Sequence, residues 1–390
     1  MRAPWVGSLR NVETRSLAIA GRVAKSRRHR AQFPSARTAP TIPAMSASAD
    51  PTRLAEIGDL PLRSGAVLRR ARLAYVGYGR LAADGRNAIL LTHGYTSSHL
   101  FAAPQSAGVA AEGSWSALVG PGRAIDTDRH FVVSSNLLGS SYGSTAPKTD
   151  NPATGRPYGP DFPALALPDM ILAQRRLLEG LGVRGLKAVV GPSYGGFQAF
   201  TWAIEQPDFV RGIVAAVSGL RSPGSLDMDA LERRYAAVPG WNGGRHHGSD
   251  AMKPLMATMR EETLRNYGIE AELAGRFPDA AARAAEIARI ARAWAEDFDP
   301  LSMLVLGRAA NAYDAGPGLA RIRARVLYVL SRSDKLFPPS LAPATMRALQ
   351  AAGADARYAE IDSDHGHLAS GTDAAKWAPA LREFLDGLPG

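Results

Sequence analysis

The chain has 390 residues, of which 46% are apolar and 21% charged, with Gly (39) and Pro (27) too few for a low-complexity protein; this mix excludes collagen, wholesale disorder and a coiled coil. Cysteine is absent, which removes disulfides, thiolate metal sites and a cysteine nucleophile together. The formal net charge of +10 looks like a nucleic-acid signal until it is divided along the chain.

Residues 1–45 hold nine Lys and Arg against Glu13 alone, a net +8, so the remaining residues carry only +2. The basic character therefore belongs to a tail, and the body carries no electrostatic footprint that asks for a nucleic acid. Arg- and Ser-rich and closed by Pro34, Pro40 and Pro43, residues 1–45 are expected to be disordered. They read as an upstream extension before a true start near Met45, as a targeting segment, or as an arm for anionic surfaces. No run approaches the roughly 18 apolar residues of a spanning helix, so no membrane partner is expected and the cytoplasm is the expected setting.

Beyond residue 60, short Val/Ile/Leu runs alternate with helical patterns, the mark of βαβ units and an α/β fold with a mostly parallel, doubly wound sheet. Strands are expected near Ala71–Tyr78, Ala88–His93, Phe131–Ser135, Leu186–Val190, Val210–Val217, Val326–Leu330 and Arg357–Ile361. Helices are expected near Pro168–Leu181, Tyr194–Gln206, Leu341–Ala351 and Ala374–Leu385. From about Ser222 the strands stop, and three helical patterns follow: Leu226–Ala237, Ala251–Tyr267 and Ala280–Trp294. The expected organisation is a core in two parts, 46–221 and 298–390, with a helical cap inserted at 222–297.

After the strand Leu186–Val190 comes Gly191-Pro192-Ser193-Tyr194-Gly195-Gly196, which matches G-x-S-x-G in the context strand, tight turn, helix. Such an elbow thrusts a hydroxyl clear of the sheet, and small neighbours let strand and helix approach. A serine hydroxyl needs a general base, and the base needs an orienting acid; in this architecture both follow in the order Ser, Asp, His. Asp334 lies in the loop after Val326–Leu330, and His365 and His367 lie after the last strand in Asp362-Ser-Asp-His-Gly-His367. The expected triad is Ser193, Asp334 and His367. The other readings are a plain turn aspartate at 334 and a metal site built from the Asp362, Asp364, His365 and His367 loop. For an oxyanion hole, the N–H of Tyr194 follows the nucleophile, and Tyr95 in Thr92-His-Gly-Tyr-Thr96 supplies the second; a plain glycine turn predicts the same residues. His246 and His247 read as loop residues, either solvated or reaching the pocket.

These residues resemble the homoserine O-acetyltransferase family of α/β-hydrolase-fold enzymes. The likeness extends through Trp115–Asp128, Ser135–Pro147, Asn151–Pro163, Asp169-Met170, the Ser193 elbow and Ser333–Pro339. It implies that Ser193 takes an acyl group from acetyl-CoA or another acyl-CoA cosubstrate and passes it to a hydroxyl acceptor. His367 would relay the protons; the preference for His367 over His365 rests partly on this resemblance. It also implies a small-molecule substrate, no metal or bound cofactor, and a homodimer.

The departures from the family fall in the acceptor pocket. Leu368 stands where the family has an aspartate that holds the amino group of homoserine. Trp241-Asn-Gly-Gly-Arg-His246 lacks the family tyrosine, and Phe298-Asp-Pro-Leu-Ser-Met303 departs from the family's Phe-Asp-x-Asn-Ser-Tyr. The arginine that holds the substrate carboxylate finds only a gapped match at Arg233, beside Arg234. An apolar residue cannot pair with an ammonium, and an ion pair broken on one side costs several kcal/mol. The expected acceptor is accordingly less polar than homoserine, or water; the alternative activity is carboxylic-ester hydrolysis with the same triad.

Overall fold

Eight strands form the main sheet: β1 (Arg53–Pro61), β2 (Val67–Tyr78), β3 (Ala88–Thr92), β4 (Phe131–Ser135), β5 (Leu186–Pro192), β6 (Val210–Ala216), β7 (Arg325–Ser331) and β8 (Ala356–Ile361). The structure is a computed structural model and describes residues 51–103, 114–224 and 226–389; the expected basic tail lies outside the described residues. The spatial order is β1-β2-β4-β3-β5-β6-β7-β8. From β4 to β8 every neighbouring pair is parallel, while β2 runs antiparallel to both β1 and β4. Parallel strands must be covered on both faces, and β3 and β4 are accordingly buried along their whole length.

The helices are α1 (Leu167–Gly180), α2 (Tyr194–Glu205), α3 (Met228–Ala236), α4 (Lys253–Tyr267), α5 (Ile269–Ala274), α6 (Ala280–Ala295), α7 (Pro300–Asn311), α8 (Ala342–Ala351), α9 (Ala369–Thr372) and α10 (Ala374–Asp386). Two apolar layers flank the sheet. One gathers α1, α2 and α7 around Trp202, Phe200 and Met170; the other packs α10 through Trp377, Leu381 and Phe384 against Val190, Val214 and Val329. Between β6 and β7 the chain runs through α3 to α6, which bury apolar clusters of their own around Tyr235 and Trp241 and around Leu264 and Ile287. Several elements differ from the sequence expectation, among them the short helices α5 and α9, which are not among the expected helices. β1 is an additional edge strand, and α7, expected only as an unassigned stretch after the cap, is capped by the Asp299 side chain with Pro300 in its first turn.

Candidate active site

At the C-terminal end of β5 the backbone turns sharply, and Ser193 sits at φ 54° and ψ −119°. A non-glycine residue at such a φ is strained and persists only where its surroundings hold it. Here the Ser193 N–H donates to the Ala216 carbonyl at 2.9 Å, and its own carbonyl accepts the Ser218 hydroxyl at 2.8 Å. A Cβ added at Gly195 would collide with the Thr92 backbone carbonyl, so α2 leaves the elbow against β3 only because that position carries no side chain.

The loops after β7 and β8 bring Asp334 and His367 together. Their side chains are 0% and 5% exposed, and His367 Nδ1 lies 2.9 Å from Asp334 Oδ2. The other carboxylate oxygen accepts the Leu336 N–H at 2.8 Å, which fixes the plane of the acid. Phe337 stacks near the His367 ring at 5.8 Å, and Tyr267 of α4 approaches it at 4.7 Å. His367 and Ser193 both line one cleft, partly open to solvent, together with Gly94, Tyr95, Phe101, Tyr267 and Leu368.

Tyr95 belongs to the loop after β3. Its ring stacks on Tyr194 at 6.0 Å, and the two hydroxyls donate to the carbonyls of Met303 and Leu306 on α7. The loop is braced from within by His93, whose Nδ1 meets the Gly94 carbonyl at 2.8 Å and whose Nε2 accepts the Leu137 N–H at 3.2 Å. Burial holds this imidazole down at about 4, against the bonds to Gly94 and Asn136 that favour its charge. Tyr194 opens α2, where the first N–H groups have no partner within the helix. Among the described residues, no backbone carbonyl takes the Tyr95 N–H.

Other expected site residues lie elsewhere. The Arg233 side chain is 71% exposed, with Asp227 4.0 Å away, and it does not line the cleft. Tyr235 anchors α3 inward, and a residue two positions earlier points to the opposite face. Arg234 pairs at the surface with Glu262. His246 and His247 turn away from the cleft toward Asp299. The metal reading of the last loop fails: Asp362 and Asp364 are 87% and 79% exposed and held by Arg332, while His365 Nδ1 faces Asp373 at 2.8 Å.

The arginine near the site is Arg260. It is 2% exposed, donates to the Thr96 hydroxyl at 2.6 Å and lies over the Trp294 ring at 4.9 Å. Burial lowers its pKa to about 10. Its signal in the sequence is position: Met256, Arg260 and Leu264 fall four apart on one helical stripe, so a charge stands where α4 packs inward. One turn further along, Gly268 at φ 100° passes the carbonyl of His365 so closely that a Cβ would lie 2.9 Å from it. Helix α4 is thereby pressed onto the loop that carries His367. Leu368, the next residue, packs on Leu264, Ile269, Leu273, Ile287 and Ala291.

Comparison with known proteins agrees with this geometry. The alpha/beta hydrolase fold family model matches residues 87–374. A homoserine O-acetyltransferase of Symbiobacterium thermophilum is 38% identical over 353 residues, covering 84% of this chain and 92% of its own. Among solved structures, a homoserine O-acetyltransferase from Bacillus anthracis superposes with a TM-score of 0.77 at 25% identity, covering 87% of this chain and 98% of its own. Esterase E22 superposes at 0.76 and 27% identity, covering 86% of this chain and 99% of its own.

Proposed function

Because the chain belongs to the homoserine O-acetyltransferase family of α/β-hydrolase-fold enzymes, we propose that it transfers an acyl group from an acyl-CoA to a hydroxyl acceptor other than homoserine, through an ester on Ser193. The observation that carries the reading is the buried Asp334–His367 pair at 2.9 Å opening on the same cleft as Ser193. Asp334 holds the Nδ1 proton, so Nε2 is free to accept. In the proposed step the Ser193 oxygen attacks the thioester carbonyl while its proton passes to His367. The C–S bond then breaks, and the CoA sulfur leaves with that proton. The acceptor hydroxyl gives its proton to His367, attacks the ester carbonyl and releases Ser193, which recovers the proton. The N–H groups of Tyr95 and Tyr194 receive the developing oxyanion, and residues 222–297 serve as a cap on the two-part core 46–221 and 298–390. A cytoplasmic homodimer and a reaction that needs no metal complete the proposal.

Leu368 supports an acceptor without an ammonium. Its side chain continues the apolar cluster of the cap, where a charge would be stripped of water without a partner. The same feature, with the likeness to esterase E22, supports a second reading, in which water takes the acyl group and the enzyme is a carboxylic-ester hydrolase. The two are separated by the intact mass of the protein after brief exposure to acetyl-CoA, with Ser193→Ala alongside. One acetyl group on the wild type alone supports thioester donation. Unchanged mass with no free CoA, for acetyl-CoA and longer acyl-CoAs alike, refutes the transferase reading, and turnover of simple esters then establishes hydrolysis.

A further inference from the structure

Away from the cleft, the sequence neighbours His246 and His247 converge on one carboxylate. His246 Nε2 lies 3.1 Å from Asp299 Oδ1 and His247 Nε2 lies 3.2 Å from Asp299 Oδ2, with side chains 6%, 18% and 2% exposed in the order His246, His247, Asp299. Among the described residues this is the one group of three such side chains whose donor atoms all lie within 4.8 Å of one another. None of the three lines the cleft around Ser193.

We propose that His246, His247 and Asp299 form a binding site for a divalent late first-row metal ion of the Zn2+ type, which clasps the segment before α4 to the start of α7. Metal–ligand bonds of about 2.0–2.2 Å arranged tetrahedrally place ligand atoms roughly 3.3–3.6 Å apart. The two imidazole–carboxylate separations of 3.1 and 3.2 Å need small widening to admit an ion, and all the donor atoms lie within 4.8 Å of one another. Two imidazoles and one carboxylate suit Zn2+, Co2+ or Ni2+, whereas Mg2+ and Ca2+ prefer all-oxygen sets.

The donors are already held in place. The Asp299 N–H donates to Ser141 Oγ at 2.8 Å, and its Oδ1 accepts the Leu301 N–H at 3.0 Å. Trp241 stacks on the His246 ring at 5.1 Å, and the two imidazoles lie 4.3 Å apart. Nδ1 of His246 is buried without a hydrogen-bond partner, so no bond there ties the ring to one tautomer. Trp241, Phe298 and Met303 belong to the apolar cluster around the site, which limits competition from water, while the partial exposure of His247 leaves an entry path.

The consequence reaches the cleft through α7. That helix starts at the Asp299 cap and supplies the carbonyls that hold the hydroxyls of Tyr95 and Tyr194. A metal at its N-terminus would stiffen the support of both tyrosines without touching the reacting atoms.

The test uses the untagged full-length protein after dialysis against a chelator. Addition of Co2+ is expected to produce a visible d–d band that saturates at one equivalent and disappears when Zn2+ displaces it. With free Zn2+ a hundred times above the dissociation constant, the unfolding equilibrium constant is expected to fall about a hundredfold. His247→Gln, at the most exposed of the three positions, should bind at least a hundredfold more weakly, while His365→Gln should bind like the wild type. The proposal is overturned if the wild type shows no saturating band, or if wild type and His247→Gln bind the ion alike. Because the band is read on the wild type, a variant that fails to fold does not remove the test.

Discussion

Replacing Asp334 by Asn tests the proposed acid–base pair with little change of shape. Asp334 Oδ1 accepts the Leu336 N–H at 2.8 Å, so the new amide keeps its carbonyl there and turns its NH2 toward His367, 2.9 Å away. Nδ1 must then accept a hydrogen bond, its proton moves to Nε2, and Nε2 can no longer take the proton of Ser193. With the two side chains at most 5% exposed, water has no access to restore the useful tautomer. A triad locked in the wrong tautomer loses about 10⁴ in kcat, which is about 5.5 kcal/mol of barrier at 1.36 kcal/mol per decade. The assay is kcat on a chromogenic acetate ester and the rate of acetylation at Ser193, with thermal unfolding as a check on the fold. Asp362→Asn and Asp364→Asn, both at exposed positions bound to Arg332, should stay within about twofold of wild type, as surface pairs contribute little. A loss smaller than tenfold in folded Asp334→Asn would refute the assignment of Asp334.

Three further outcomes are expected. His93 is held near 4 by burial, below the 6.5 of an unfolded histidine. The unfolded chain therefore takes up this proton first as pH falls, and stability that is full above 6.5 should drop by about 3 kcal/mol on the way to pH 4. Urea titrations of wild type and His93→Asn will show whether this pH slope belongs to His93. Arg260→Met removes the bond to Thr96 and with it one hold on the loop that carries Tyr95; a hydrogen bond to a charged group is worth about 1.5–3 kcal/mol, and kcat should fall roughly 10- to 100-fold, whereas Arg233→Met leaves it unchanged. Gly195→Ala should cost at least about 3 kcal/mol because the added methyl meets the Thr92 backbone rather than a side chain that could move; denaturant unfolding decides it.

The parts of this fold that are legible in the sequence are those whose cause is local. β5, β6 and β7 are largely apolar runs rich in Val, Ala or Leu and mostly buried, and the glycines around Ser193 mark a turn that only small residues permit. Asp334 and His367 are legible because each lies in the loop directly after a parallel strand, on the side where such sheets place ligands. β1 is less legible: Arg-Leu-Ala-Glu-Ile-Gly-Asp-Leu-Pro carries exposed and half-exposed polar residues, and its pairing is supplied by β2. α7 is buried on nearly every side, so no amphipathic stripe announces it. Arg260 is missed because its meaning depends on Thr96, 164 residues away. The gapped match at Arg233 instead selects a helix face turned to solvent.

Of the residues expected to depart from the family, Leu368 lines the cleft, whereas Arg233, Trp241, His246 and Met303 do not. In the proposed reaction the elbow, the acid–base pair and the tyrosine amides that would form and stabilise the acyl-enzyme come from β3, β5, β7 and β8 and the loops that follow them. Tyr267 and Leu368 line the cleft, and Leu368 belongs to an apolar cluster with Leu264, Ile269 and Leu273. On the proposed mechanism, different nucleophiles compete for a common acyl-enzyme intermediate beside Leu368. An apolar wall disfavours an ammonium-bearing alcohol by leaving its charge unpaired, but it does not disfavour a less polar alcohol, and it excludes water only as far as the cleft closes. On the proposed mechanism, closure of the cleft would depend in part on α4 and its Gly268 turn, which pass close to the loop that carries His367, a contact set by backbone packing rather than by the proposed acid–base pair.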